Sequence, residues 1–415
     1  MGNKAMNIAL VSYEFPGEMY VGGIGTYMGQ IAKLLTERGH HIEVFCGGLK
    51  HFSTYHKEGI TIHPVLCKDQ NDFRKKVLPV FQKRVQQRYF DIIEAAESSS
   101  DSLLIREQFP EIPHVIKLHC PAFWFQKINS NLSLLAKIRF RLGGLRRGAW
   151  QKKVYWKYIK EDDSDFHMAR LSPYIIYPSN AVKKIVLQYW GLHQASFIYI
   201  PNPYIPSPAY LNLSIKNMED KSPAITFIGR LEKGKGLVEL GEAMIYIFRK
   251  FPKAKLTLAG AIKASPKSGQ NMQQYLEKKL NKYKHQLNFL GHLEFEQMPS
   301  LLSQTDIMVI PSHWDNFPTV CLEAMSAGRA VVGSKHGGMS ELLAGNCGVL
   351  VDPFQPKLMA IAIEKLILNP DLRNILGQNA RAKILSQYNG EKIGTMTEEA
   401  YTLIRKNWNK GLENK

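Results

Sequence analysis

A glycine-rich segment in the second half of the chain carries two cationic side chains. In ITFIGRLEKGKGL (residues 225–237) an apolar run ends at Gly229, and Arg230 and Lys235 follow before the next helix pattern. Arginine offers phosphate oxygens a planar fork of donors, and lysine offers a mobile point charge. The pattern predicts a site that holds a diphosphate with side chains alone; a solvated basic loop is the competing interpretation.

Two carboxylates stand in the segment PSHWDNFPTVCLEAMSAGRAVVGSKHGG (residues 311–338). Asp315 lies in a loop, and Glu323 lies near the start of a short predicted helix that follows Pro318. Glu323 can accept two hydrogen bonds from a ribose diol, while Asp315 can face another part of the same ligand. Taken alone, each also fits a helix-terminal or surface acid.

Glycines at two places leave backbone N–H groups uncovered by side chains. Gly22 and Gly23 open a helix pattern in YVGGIGTYMGQIA (residues 20–32). Such N–H groups can meet phosphate or sugar oxygens. The glycine spacing is a weak match to the dinucleotide fingerprint, and a tight strand–helix turn is the alternative. The second place is the turn before another helix, made of Gly337, Gly338, Met339 and Ser340.

A histidine ends the apolar run HVIKLH (residues 114–119) in the first half of the chain. A lone histidine is more often structural than functional. His119, however, stands at the carboxyl end of a predicted strand, where ligands of parallel sheets bind. We therefore expect it to face a ligand.

The elements that must position these residues alternate between short apolar runs and amphipathic stretches, which predicts parallel sheets with helices on both faces. The expected fold is α/β, with two doubly wound Rossmann-like domains facing across a cleft. The proline-rich stretch around residues 199–223 separates them. The predicted parts are an N-terminal domain (1–203), a linker (204–222), a C-terminal domain (223–390) and a helical tail crossing back to the first domain (391–415).

Composition limits the class of protein. The chain has 415 residues, 45% of them hydrophobic and 22% charged, which is typical of a folded protein with two cores. The first residues lack the layout of a signal peptide, and Met6 stands where a myristoylation site needs Ser or Thr. Five scattered cysteines without metal-ligand spacing are expected to be reduced cytosolic thiols. The predicted location is the cytoplasm, with peripheral attachment to the inner face of the plasma membrane left open.

The formal net charge is +18, which favours anionic partners such as nucleotides, phospholipid headgroups or nucleic acid. Residues 127–160 contain ten Lys or Arg and no acid, with interleaved aromatic residues. This basic segment fits an anionic membrane surface or a lipid-linked acceptor. A core-facing helix with a solvated basic face is the alternative.

The ordered set of motifs resembles the retaining glycosyltransferases of family 4, which have the GT-B fold. The resemblance covers nearly the whole chain. It rests on GGIGTYM, the LH at 118–119, PSNAVKK, PNP, FIGRLEKGKGL, FLGHL, the acid-containing segment 311–343 and GVLVDP.

The resemblance implies a role for each candidate residue. Arg230 and Lys235 match the basic pair that stabilises the departing diphosphate. Glu323 matches the second acid of the family's Glu-x7-Glu motif, which binds ribose, and Asp315 matches the first acid, which approaches the donor sugar. The remaining matches are His119 at the transferred sugar; Gly22 and Gly23 near the diphosphate and acceptor; and Gly229, Phe317, Thr319, Val320, Gly337, Gly338, Met339 and Ser340 around the donor.

Two positions depart from the family pattern. Asp315 replaces a glutamate and so is shorter by one methylene, and Pro318 stands where many members have glycine and lacks an N–H. Because Arg230, Lys235 and Glu323 are intact, we expect altered sugar preference rather than loss of activity.

The resemblance also implies a nucleotide-diphosphate sugar, expected to be UDP-linked, as co-substrate, and a glycan or lipid-linked acceptor. Retention would proceed by front-face attack, with the departing phosphate taking the acceptor's proton. We expect no metal and no other cofactor. The DSD at 163–165 mimics a metal-binding motif but is predicted to lie on a solvated face.

Two other classes of protein fit less of the sequence. A nucleotide-dependent dehydrogenase would leave the basic loop and the acid pair unused. A basic nucleic-acid-binding protein would explain the charge but not Glu323 or the Gly–Gly turn, and the motifs of such proteins are absent. We therefore expect no nucleic-acid partner.

Overall fold

The computed structural model describes residues 5–19, 22–49, 53–129, 134–146, 158–215 and 223–413. The chain forms two compact units. The first takes in Met1–Tyr177, Lys183–Ile198 and Ala400–Lys415, and the second takes in Pro178–Val182 and Tyr199–Glu399.

The first unit contains an eight-stranded sheet. In chain order, its elements are β1 (Asn7–Ser12), α1 (Gly23–Glu37), β2 (His41–Gly48), β3 (Tyr55–Lys57), β4 (Ile60–Leu66), α2 (Gln70–Val85), β5 (Ile92–Ala96), α3 (Leu103–Gln108), β6 (His114–Lys117), α4 (Ala122–Asn129), α5 (Leu134–Arg146), α6 (Ser164–Leu171), β7 (Tyr174–Tyr177), α7 (Asn180–Trp190) and β8 (Ser196–Tyr199). The first residues of α7, up to Val182, and the last residue of β8, Tyr199, belong to the second unit.

The strand order of this sheet is β3-β4-β2-β1-β5-β6-β7-β8. β1 pairs in parallel with both β2 and β5, and β3 pairs antiparallel with β4 at the edge. β5 is buried along its whole length, as a strand covered by helices on both faces requires. The chain reverses its winding direction between β1 and β5, and the carboxyl ends of such strands are where ligands bind in open α/β sheets.

The second unit contains the remaining elements. They are α8 (Pro208–Leu211), β9 (Ala224–Ile228), α9 (Leu237–Lys250), β10 (Lys255–Ala259), α10 (Met272–Lys279), β11 (Leu287–Gly291), α11 (Met298–Ser303), β12 (Ile307–Ile310), α12 (Thr319–Ser326), β13 (Ala330–Ser334), α13 (Met339–Leu342), β14 (Val349–Val351), α14 (Pro356–Leu368), α15 (Pro370–Gln387) and α16 (Gly390–Glu413), whose residues from Ala400 onward belong to the first unit.

The second sheet has the order β11-β10-β9-β12-β13-β14 and is parallel throughout. Alternate residues of β12 enter two different cores: Ile307 and Val309 pack on one face, and Met308 and Ile310 pack on the other. This alternation is what a strand between two helical layers produces. The reversal point lies between β9 and β12. The predicted fold class of two doubly wound α/β domains is confirmed.

Residues in the predicted linker have core positions. Tyr204 and Tyr210 are almost fully buried and pack with the second unit, while residues 216–222 lie outside the described part of the chain. The boundary predictions otherwise stay predictions. Within the described residues, no helix combines the length and apolar character needed to cross a membrane.

Candidate functional site

Two loops meet at the reversal point of the second sheet. The loop after β9 begins with Gly229 and Arg230 and continues through a 3-10 turn, Lys233–Lys235, to Gly236. Gly236 has φ +75°, and a Cβ there would lie 1.9 Å from the Pro311 carbonyl oxygen in the loop after β12. Only glycine permits this approach. A backbone hydrogen bond from His313 N to Gly234 O, 2.9 Å, joins the same two loops.

This close approach places Lys235 against Asp315. Lys235 Nζ lies 2.6 Å from Asp315 Oδ2, and both side chains are about a quarter exposed or less. The other predicted cation, Arg230, pairs with Glu232 at 2.9 Å. Both groups predicted to hold a diphosphate are therefore charge-paired within the chain itself.

Glu323 occupies a different environment. It lies in α12, is 6% exposed, and burial raises its pKa to about 7. No described residue donates a hydrogen bond to its carboxylate, and its charge contributes to the raised pKa values of Tyr204 and Tyr210. Because a buried carboxylate without a cation or donor is costly, such a group is typical of a ligand-binding site.

The predicted turn at Gly337 and Gly338 packs directly on the loop that carries Asp315. Gly337 has φ +76°, and a Cβ there would lie 2.0 Å from the Asp315 carbonyl oxygen. Gly338 N donates to that same oxygen at 2.9 Å. Ser340 Oγ donates to Gly337 O, and the side chain of Met339 is buried in the core. The turn thus fixes the backbone at Asp315, and its predicted contact with a ligand stays a prediction.

Three of the other predicted donor-site residues lie in the same segment as Asp315, and Gly229 lies in the loop after β9. Phe317 meets the ring of Tyr388 edge-on, with centroids 5.5 Å apart, and it packs with Val320 against the core. Thr319 is the first residue of α12 and follows the N-cap residue Pro318. Gly229, in the loop after β9, has φ +146°, and a Cβ there would make ordinary contact with the Phe227 ring at 3.5 Å.

The predicted residues of the first unit form a separate group. Gly22 N donates to Glu14 Oε2 at 2.7 Å, and Gly25 N donates to the same oxygen at 3.2 Å. A carboxylate of the chain therefore occupies the start of α1, beside Gly23, where a ligand anion was predicted. His119 is 8% exposed, and burial lowers its pKa to about 3, so its ring is neutral.

Sequence reasoning missed several residues that the structure places at these loops. Glu14 and Glu97 come within two residues of the ends of β1 and β5, and this position near the end of a switch-point strand was the available signal. His313 Nε2 lies 3.1 Å from Glu239 Oε1, a buried pair joining the β12 loop to the first turn of α9. Ser179 Oγ donates to Asn316 Oδ1 at 2.5 Å, a contact across 137 positions that no local pattern indicates.

The prediction that the DSD at 163–165 is solvated is wrong for Asp165. Asp163 caps α6 by accepting from Asp165 N. Asp165 itself is 2% exposed, and it accepts hydrogen bonds from Ser100 Oγ and Ala122 N. Its burial depends on residues distant in sequence. Among the described residues, no group of three or more His, Cys, Asp or Glu side chains is arranged to hold a metal ion.

Much of the basic segment, including residues 147–157, lies outside the described residues. In its described part, Lys127 Nζ lies 4.3 Å from the ring centroid of Tyr189 and 5.2 Å from that of Trp124. In α5, Ile138 and Leu142 are about half exposed and lie one turn apart, with the exposed Arg139 and Arg141 beside them.

Comparison with known proteins assigns the class. Residues 21–207 match the model of Glycosyltransferase Family 4, and residues 212–383 match that of Glycosyl transferases group 1. An uncharacterised glycosyltransferase of Methanocaldococcus jannaschii is 25% identical over 96% of this chain and 98% of its own length.

Solved structures share the fold. Sucrose-phosphate synthase from Thermosynechococcus elongatus superposes with a TM-score of 0.73 at 18% identity, covering 96% of this chain and 99% of its own. Anabaena HepE in complex with UDP-glucose gives 0.64 at 19% identity, covering 96% and 100%.

The two family models match residues 21–207 and 212–383, which together make up most of the chain. The protein belongs to the group 1 glycosyltransferases, is similar to family 4 and has the GT-B fold. The predicted family is thus confirmed.

Proposed function

We propose that this protein is a retaining glycosyltransferase that moves a hexose or N-acetylhexosamine from a nucleotide-diphosphate sugar to a glycan or lipid-linked acceptor. The product would be a cell-surface polysaccharide or glycolipid. The observation that carries the proposal is the ion pair of Lys235 with Asp315, which joins the loops that follow β9 and β12. Arg230 lies in the first of these loops. Cations at this edge suit a diphosphate, and the buried Glu323 nearby in sequence suits a ribose diol.

The chemistry needs charge stabilisation more than acid–base catalysis. The acceptor hydroxyl attacks the anomeric carbon on the face from which the diphosphate departs. The bond from the anomeric carbon to the phosphate oxygen breaks, and the departing phosphate takes the hydroxyl proton. Arg230 and Lys235 stabilise the negative charge that develops on the diphosphate. When the donor binds, Arg230 must leave Glu232 and Lys235 must leave Asp315 so that each cation can bind phosphate oxygens.

The donor is proposed to be UDP-linked, and no metal is proposed to be required. HepE, which shares the fold, was solved with UDP-glucose, and this supports UDP. Two side-chain cations can neutralise a diphosphate in place of a divalent ion. Full turnover in excess chelator supports this proposal, while loss of turnover that Mn²⁺ restores would overturn it.

The acceptor is assigned to the first unit, where His119 is proposed to contact the transferred sugar and the Gly22–Gly23 loop to lie near the diphosphate and acceptor. The exposed pair Ile138 and Leu142 with Arg139 and Arg141 supports contact with an anionic membrane at the inner face of the plasma membrane. Charge reversal of both arginines should then raise the acceptor KM and weaken binding to anionic liposomes at low salt. Unchanged values for both would remove this part of the proposal.

One screen tests the whole assignment. The purified protein is incubated with UDP-glucose, UDP-N-acetylglucosamine, UDP-galactose and GDP-mannose, and release of the nucleoside diphosphate is measured. Thermal shifts with UDP, GDP, NAD and an oligonucleotide run beside it. Release from one sugar nucleotide together with stabilisation by its diphosphate supports the proposal. Stabilisation by NAD or the oligonucleotide alone overturns it.

A further inference from the structure

A buried carboxyl group, that of Glu97, supports the loop that carries His119. Glu97 follows β5 directly and has no exposed surface. Its Oε1 accepts a hydrogen bond from His119 N at 2.7 Å, and the carboxylate also accepts from the backbone N–H of Cys120. Glu97 N donates to Lys117 O at 3.2 Å. Glu97 therefore holds the chain on both sides of the end of β6.

A second contact restrains the ring of His119. The Tyr27 ring, from α1, meets the imidazole edge-on with centroids 5.0 Å apart. Tyr27 OH donates to Glu94 Oε1 at 2.6 Å, and Tyr401 OH, from α16, donates to Glu94 Oε2 at 2.6 Å. All of these groups are fully or almost fully buried, so backbone and ring are both fixed by residues outside the β6 loop.

We propose that Glu97 is a positioning residue for His119. The inference rests on the proposed function, in which His119 contacts the transferred sugar. A buried carboxyl group is costly unless it is hydrogen-bonded. Apart from a bond from its own backbone N–H, the bonds that the Glu97 side chain accepts come from the backbone of His119 and Cys120. Because a displacement of about 1 Å at a substrate-contacting group can cost about 100-fold in rate, the support of this loop acts on turnover.

Glu43 provides a matched control in the same unit. It is 2% exposed, and its carboxylate is bound by the side chains of Arg84 and His63. It lies in β2, whose partners are β1 and β4, rather than beside β6. Glu43 and Glu97 are therefore comparably buried acids, of which only Glu97 holds the His119 backbone.

A double-mutant cycle tests the proposal. The readout is the release of nucleoside diphosphate from the four sugar nucleotides named above. Glu97→Ala and His119→Ala should each lower kcat about 10- to 100-fold with the donor KM within about 2-fold. The double variant should match His119→Ala, because Glu97 acts through His119. Glu97→Gln should stay within about 3-fold of the parent, since an amide oxygen can still accept from His119 N.

The controls separate the outcomes. If Glu97→Ala does not fold, Glu97→Asp, which withdraws the oxygen by one methylene, is used in the same cycle. Glu43→Ala, the matched substitution at the control position, should change kcat less than about 2-fold, and its effect should multiply with that of His119→Ala. The inference would be overturned, with the proposed function left intact, if the kcat losses of Glu97→Ala and His119→Ala multiplied in the double variant. A parental kcat in Glu97→Ala would have the same consequence. A parental kcat in His119→Ala would overturn the proposed role of His119. If the parent protein released nucleoside diphosphate from none of the sugar nucleotides, the proposed function would be overturned. Either result would also remove the inference about Glu97.

Discussion

Lys235 and Asp315 are ion-paired, with Nζ 2.6 Å from Oδ2. They are eighty positions apart in the chain, and they meet because Gly236 lets its loop approach Pro311. A donor diphosphate that binds Lys235 must compete with Asp315. The same acid is proposed to contact the donor sugar, so the pair links sugar recognition to leaving-group stabilisation.

Removing the Asp315 charge should separate these two effects. In Asp315→Asn, Lys235 loses its competitor, and a partly exposed ion pair is worth about 0.2–1 kcal/mol. UDP should therefore bind up to about 5-fold more tightly in titration calorimetry, while turnover of the sugar nucleotide falls. Glu232→Gln, which frees Arg230 in the same way, is the control that should tighten UDP without the sugar-specific loss. Weaker UDP binding in Asp315→Asn would contradict competition.

As the pH rises, ionisation of Glu323 should increase the affinity for UDP and decrease the stability of the folded state. Burial raises the pKa of its carboxyl from near 4.5 to about 7. Because the folded state holds the proton more tightly, its stabilising contribution is complete below about pH 4.5 and is lost as the pH rises to about 7. The ionised form, by contrast, is the better acceptor for a ribose diol, so UDP affinity should increase over the same range.

Glu323→Gln removes the titrating group and tests both trends. Above pH 7 the variant should be more stable than the parent by about 1–3 kcal/mol, and this difference should shrink toward pH 4.5. Its UDP affinity should be weaker and should lose the rise near pH 7. Urea unfolding and calorimetry across pH 4.5–8.5 measure these effects. A parental pH profile in the variant would assign the titration to another group.

Gly236 should tolerate no side chain. Gly236→Ala combines φ +75° with a Cβ 1.9 Å from Pro311 O, and we expect a loss of about 2–4 kcal/mol in the free energy of unfolding. Gly269→Ala is the matched control, since Gly269 has φ +77° and no atom within 4 Å of its Cβ position. It should lose only about 1 kcal/mol. Equal losses in urea unfolding would show that the approach of the two loops relaxes easily.

The sequence was informative where function depends on position along a strand. The positions of Arg230, Lys235 and His119 after strands could be predicted because each follows an apolar run, whereas the role of each residue stays a prediction. The pairing of Lys235 with Asp315 could not be predicted, since it depends on a loop approach between distant segments. Asp165 was misassigned for the same reason: its local pattern is polar, and its burial comes from Ser100 and α4.

Lys235 tests the central claim most directly. Lys233 lies in the same 3-10 turn but is exposed, which makes Lys233→Ala a matched control. With excess chelator and the sugar nucleotide selected by the screen, the parent and Lys233→Ala should release the nucleoside diphosphate at similar rates. Lys235→Ala should be slower by about 100- to 1,000-fold, with its melting temperature unchanged. Release by Lys235→Ala at the parental rate would contradict the account.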